Sequence, residues 1–412
     1  MDQALMQKYA DFVVKMGVNV RPGQTFIIQC PVEVAYFGRA CAKAGFEAGA
    51  ADVVVKYNDE LLTRIRYEMG EEAALCDVKP YEVRSYLDYA ESEGGTCILN
   101  IHADDPNVLA GLDAGKLNRV NMARRKALAG WRDYTMNDRV QWCVVAIPTP
   151  AWAKTIFPGL AAEEAVEKLW EVIFKVCRVD QATDPVKNWE KHVAVMNAHK
   201  DKLNELNLDS LHFVSANGTD LTVGLADDHS WESAASVSER GIAFMPNIPT
   251  EEVFTAPHRL RVNGVVKGTK PYVYNGQLIE GFSVTFKDGA VIEHSAQKND
   301  ALLAELLASD EGACHIGEVA LVPASSPINR SGLLFYNTLF DENAACHIAF
   351  GAGYPGTVKG GLKMNTQELL AKGVNDSNIH EDVMVGSEDM TVTGLTKQGE
   401  TVEIFKNGEW VF

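Results

Sequence analysis

The chain has 412 residues, 46% of them apolar and 23% charged, a globular composition that excludes a largely disordered protein. Lys and Arg number 38 against 56 Asp and Glu, and the net charge of −18 argues against non-specific binding to nucleic acid or anionic membranes. The same surplus leaves carboxylates available for metal ligation.

The opening segment, MDQALMQKYADFVVKMG, carries Asp2, Lys8, Asp11 and Lys15 inside any apolar run, so it reads as neither a signal nor a transit peptide. Residues 4–18 have helical periodicity. TFIIQC (25–30) is a short apolar strand, 32–50 an Ala-rich amphipathic helix and DVVVKY (52–57) the next strand, which makes a βαβ unit with a parallel pair. CILNIHA (97–103) and CVVAIPT (143–149) read as further buried strands, and 160–177 as a helix. No window reaches the roughly 18 uninterrupted apolar residues of a membrane helix. Eight cysteines are scattered without any C-x-x-C, mostly in apolar context, which reads as reduced thiols in a soluble cytoplasmic protein.

The polar passage 178–192 marks a boundary, with Asp184-Pro185 opening a linking helix to about Leu206. Beyond it come short β runs with hairpin turns at Asn217-Gly218 and Asp288-Gly289, two more in the closing segment, and a helix near 297–309. The expected organisation is an α/β domain over 1–185 followed by a β-rich α+β domain over 186–412.

No nucleophile elbow, P-loop or dinucleotide fingerprint occurs. Histidines and acids cluster better, since seven of the ten histidines follow residue 200. Three segments join them to carboxylates: PNIPTEEVFTAPH with Glu251 and Glu252, HIGEVALV with Glu318, and FDENAACHIAFGAGY with Asp341, Glu342, His347 and Tyr354. A fourth is SNIHEDVMVGSEDM. If IHEDVMVG is a strand, His380 and Asp382 project from one face as a two-ligand edge for a divalent metal. The alternative is a surface pair on an edge strand. Glu318 lies among Ile316, Val319, Leu321 and Val322, a context that predicts burial and hence a cation or hydrogen-bond partner. A distant arginine would also satisfy it.

Together these phrases, with SGLLFYNTLF before Asp341 and the closing GLTKQGETVEIFKNGEW, resemble the broad-specificity metallo-aminopeptidases of the aminopeptidase T, aminopeptidase S and PepS kind, across essentially the whole chain. The resemblance implies that the second domain is the metal-binding one. It implies the ligands Glu252, Glu318, Glu342, His347, His380 and Asp382 around two divalent ions (zinc, cobalt or manganese), with Glu318 bridging. It places Tyr354 within reach of the reacting carbonyl and implies a homodimer. Four ligand carboxylates balance two divalent charges, whereas without metal the cluster could not stay fully ionised.

The expected activity is hydrolysis of the N-terminal bond of peptides with a free N-terminus. Glu251 is the candidate general base and Tyr354 the candidate donor to the oxyanion. Two alternatives stand beside it. One is a mononuclear iron ring-cleaving dioxygenase using His347, His380 and Asp382, which leaves three acids without a task. The other is a non-catalytic metal- or peptide-binding protein.

Overall fold

The computed structural model describes residues 2–103 and 105–412. Two compact units emerge: 1–190 with 235–249, and 191–234 with 250–412. The chain therefore crosses between them three times.

In the first unit, strands Asp52–Asn58, Thr25–Pro31, Thr96–His102 and Gln141–Ala146 lie side by side in that order, all parallel. The near-continuous apolar sequence of the inner strands Thr25–Pro31 and Thr96–His102 follows from burial on both faces. Helix Ala35–Glu47 connects the first two strands and packs very closely on one face. A Cβ on Gly45 would lie 2.6 Å from the Phe26 ring, so only glycine permits this approach. On the opposite face Ile27 and Ile98 meet Trp131 and Ala90. The helical pattern of 4–18 resolves into an α-helix, Gln3–Phe12, capped by Asp2, and a π-turn, Val13–Val18, that ends on left-handed Asn19.

Residues 246–248 run along the outer edge of strand Gln141–Ala146. Val144 N–H donates to the Pro246 carbonyl at 2.7 Å and Ile248 N–H to the Val144 carbonyl at 3.1 Å. All eight cysteines are free, six of them buried. Among the described residues no helix is long and apolar enough to cross a membrane.

Among the described residues the second unit holds two large antiparallel sheets and a separate two-stranded one, Tyr272–Tyr274 with Gln277–Ile279. The larger has eight strands among the described residues, with 208–214, 220–225 and 257–267 near its middle. Asp288-Gly289 and Asn407-Gly408 take left-handed conformations at both turn residues, as a two-residue hairpin requires. At Asn217-Gly218 only the glycine is left-handed, and the loop spans 216–218 because Gly218 N–H closes a turn onto Ser215.

The smaller sheet orders its strands His380–Met384, His347–Gly351, Ile316–Leu321 and Val253–Thr255. One face shares a core with the larger sheet: Val319, Ile348, Phe350 and Val383 pack with Phe213, Val223, Val262 and Phe286. The stacked Phe286 and Phe350 rings, 6.3 Å apart, join the two layers.

Candidate metal centre

Cross-strand pairing assembles the centre on the other face of the smaller sheet. Along His347–Gly351, residues 347, 349 and 351 point to this face while Ile348 and Phe350 enter the core. Glu318 and Asp382 flank Ala349 on either side, and His380 pairs with Gly351. Since residues 349 and 351 carry little or no side chain, space remains between the charged groups.

A β-bulge directs Glu318 to this face. Ile316 pairs with Phe350 and Glu318 with Ala349, leaving Gly317 as the extra residue. A regular strand would turn Ile316 and Glu318 the same way; here the isoleucine enters the core and the carboxylate does not. A side chain at 317 cannot be accommodated, because a Cβ would lie 2.3 Å from the Ala352 carbonyl group. Glu252 precedes the outer strand. Val253 pairs with Leu321 in the core, so alternation turns Glu252 the opposite way.

His347 Nε2 lies 3.1 Å from Glu252 Oε2, 3.5 Å from Glu318 Oε1 and 4.0 Å from Asp382 Oδ1. His380 Nε2 is 3.4 Å from Asp382 Oδ1 and 3.8 Å from Glu318 Oε2. Two triads result, Glu252–Glu318–His347 and Glu318–His380–Asp382, each with donor atoms within 4.8 Å of one another, and Glu318 belongs to both. Buried Glu342 brings its carboxyl within hydrogen-bonding reach of Asp382. Both imidazoles are pre-oriented. His347 Nδ1–H donates to the Ala345 carbonyl at 3.2 Å and His380 Nδ1–H to the Ala352 carbonyl at 2.7 Å, which turns each Nε2 toward the acids.

The other expected residues lie beside this cluster. Glu251 is buried, its backbone N–H donates to Asn343 Oδ1 at 2.7 Å, and its carboxylate is 3.8 Å from His192 Nε2. The Tyr354 ring sits 4.8 Å from the His380 ring and edge-on to Phe254. Asp341 accepts the N–H groups of Phe335 and Asn337, so it holds the preceding turn in place. Sequence reading missed Gly317, Ala349, His192 and Asn343. None of the four carries a local signal, and Asn343 only closes the polar run that begins at Asp341.

The electrostatics of the cluster favour a cation. Burial pushes Glu318 up to about 7, and burial with the neighbouring acids pushes Glu342 well above the carboxylate range. Burial opposes charge on His347 and His380, but the acids around them outweigh it. Both imidazoles are held above their ordinary value, His380 at about 10. Acids and imidazoles shifted in this way mark a concentration of negative charge that a cation would balance. His347 Nε2 and Asp382 Oδ1 are buried and face only other members of the cluster, without a well-aligned hydrogen bond among the described residues. Orphaned donors of this kind, in an N/O set with oriented imidazoles, fit a divalent metal.

A buried group of carboxylates and imidazoles around one space is the donor set of a metalloenzyme. The chain belongs to the thermophilic metalloprotease (M29) family, whose model matches residues 2–410. It is 44% identical over 407 residues to Aminopeptidase 2 of Geobacillus stearothermophilus, covering 99% of this chain and 98% of the relative. It is 41% identical over 406 residues to Aminopeptidase T of Thermus aquaticus, covering 98% of each. The structure superposes on wild-type AmpT from Thermus thermophilus with a TM-score of 0.92 at 38% identity, over the full length of both chains.

Proposed function

We propose that this protein is a broad-specificity aminopeptidase that removes the N-terminal residue of peptides, with two divalent ions held by Glu252, Glu318, Glu342, His347, His380 and Asp382. The observation that carries this reading is the sharing of Glu318 between two triads. A carboxylate common to both halves is what a bridged pair of ions requires, and the relatives' aminopeptidase names agree with it. Zinc, cobalt and manganese all suit an N/O donor set.

Two ions bound there would supply Lewis acidity to the scissile carbonyl and lower the pKa of the attacking water. Glu251 takes the proton of that water and passes it to the leaving amide nitrogen, so that an amino acid and a shortened peptide depart. The Tyr354 hydroxyl donates a hydrogen bond to the tetrahedral oxyanion. Burial and then the neighbouring acids push its pKa up, which keeps the phenol protonated for that task. Selection of a free N-terminus would rest on the affinity of a bound ion for the α-amine rather than on a side-chain pocket.

We further infer a cytoplasmic homodimer. The free cysteines suit a reducing compartment. On helix Glu60–Met69, Leu61, Leu62, Ile65 and Met69 are exposed, an apolar face that a second copy could cover. Sedimentation velocity tests the dimer.

The activity is tested by metal analysis alongside release of free amino acid from unblocked and N-acetylated peptides. Close to two zinc, cobalt or manganese ions per chain with cleavage of the unblocked peptide alone is expected. One iron per chain and no cleavage of either peptide would overturn the reading in favour of a mononuclear oxygenase.

A further inference from the structure

Asn343 is fully buried, and its side-chain amide touches Glu342 of the acidic cluster and the backbone of Glu251 beside it. Its Oδ1 accepts the backbone N–H of Glu251 at 2.7 Å, while its Nδ2 donates to Glu342 Oε1 at 3.3 Å and to the Leu339 carbonyl at 3.1 Å. The amide has one workable orientation. Flipped, it would set oxygen against a carbonyl and a carboxylate, and N–H against N–H. The Asn343 backbone is fixed in turn, because buried Ser326 donates its hydroxyl to the Asn343 carbonyl at 2.6 Å.

These contacts join two segments that are 92 residues apart in sequence. The turn Glu342–Ala344 carries one acid of the cluster, and the stretch before Val253–Thr255 carries Glu251 and Glu252. Neither the single 3-10 turn nor that stretch is held by strand pairing at these residues, whereas Glu318, His347, His380 and Asp382 stand on paired strands. The geometry points to Asn343 as the positioning residue that holds Glu342 and the Glu251–Glu252 stretch at a common distance, acting through them on metal affinity and on turnover. The inference rests on Glu342 being a metal ligand. A neutral amide suits this place because it donates to a carboxylate and accepts from an N–H with one planar group.

A double-mutant cycle on zinc affinity, measured by chelator competition, tests the role. N343L keeps the approximate volume and removes every hydrogen bond; a loss of affinity of about 10- to 100-fold is expected, the range for groups that orient ligands. E342A is expected to weaken zinc at least as much, and N343L added to E342A should cost clearly less than N343L alone, because only the Glu251–Glu252 stretch would remain for Asn343 to position. Full additivity of the two losses would overturn the inference, since a merely structural defect does not depend on Glu342. In N343D an acceptor remains for Glu251 while oxygen replaces the N–H that faces Glu342. Wild-type zinc affinity in N343D would also overturn it, and that variant decides the matter if N343L does not fold. The absorption spectrum of the cobalt-loaded protein gives a further readout, expected to change in N343L. Absence of metal from the wild-type protein is a different outcome, because it would remove the metal-centre reading itself.

Discussion

Glu318 faces Asp382 across Ala349, so a buried and a partly buried carboxylate are separated by a residue whose side chain is a single methyl group. That methyl sets the room available between them. Ala349→Leu would fill it with three more carbons, at a cost of roughly 1–3 kcal/mol from overpacking. The expected outcome is a folded protein whose metal content by elemental analysis drops to a small fraction of the wild-type value. Full loading in this variant would show that the cation site does not lie over the middle strand.

Glu318 is shared by both triads, whereas His347 and His380 belong to one each. Glu318→Ala should therefore remove most of the bound metal, while His380→Ala should remove about half. Equal losses in the two variants would argue against a bridging role. Elemental analysis after gel filtration separates the cases.

Glu251 and Tyr354 are assigned to chemistry rather than to metal retention. Glu251→Gln should leave metal content unchanged and lower kcat by at least about 10²-fold, as for loss of a general base. Tyr354→Phe should lower kcat by roughly 10²–10³-fold at constant metal content, as for loss of an oxyanion donor. Retained turnover in either variant removes that residue from its role.

His229 gives a pH dependence away from the cluster. It is buried with Nδ1–H donating to the Ala226 carbonyl at 3.1 Å, and burial pushes its imidazole down to about 4. Lys359 and Lys397 act in the same direction, and the Ala226 carbonyl and Asp209 against it. Unfolded, the ring titrates near 6.5, so between these values the unfolded chain binds the extra proton. The stability contribution is complete above about pH 6.5 and is lost as pH falls toward 4, a total of about 3 kcal/mol. His229→Gln should flatten this limb in urea unfolding measured at pH 7 and pH 4.5. An unchanged difference between the two pH values would exclude His229 as its source.

Residues whose signal is local are the ones the sequence exposes. The inner parallel strands of the first unit announce themselves as apolar runs, because both of their faces are covered. His380 and Asp382 declare a shared face through their spacing of two, and Glu318 through an acid set among branched apolar residues. What stays hidden depends on partners far along the chain. Alternation alone assigns Ile316 and Glu318 to the same side, and the Gly317 bulge that separates them is defined only by the register against His347–Gly351. Ala349 reads as an ordinary small core residue until its two neighbours across the sheet are known. Asn343 reads as a helix-end polar group until the Glu251 N–H, 92 residues away, is placed beside it. The return of 235–249 to the first unit has no periodicity to betray it.

That return bears on any attempt to shorten the protein. A fragment ending near residue 190 keeps all four parallel strands but loses 246–248, which cover the outer edge of Gln141–Ala146. The Val144 N–H and carbonyl would then face solvent on an apolar strand, a template for pairing with another copy. Such a fragment is expected to aggregate on expression. Grafting 235–249 back through a flexible linker should restore its solubility.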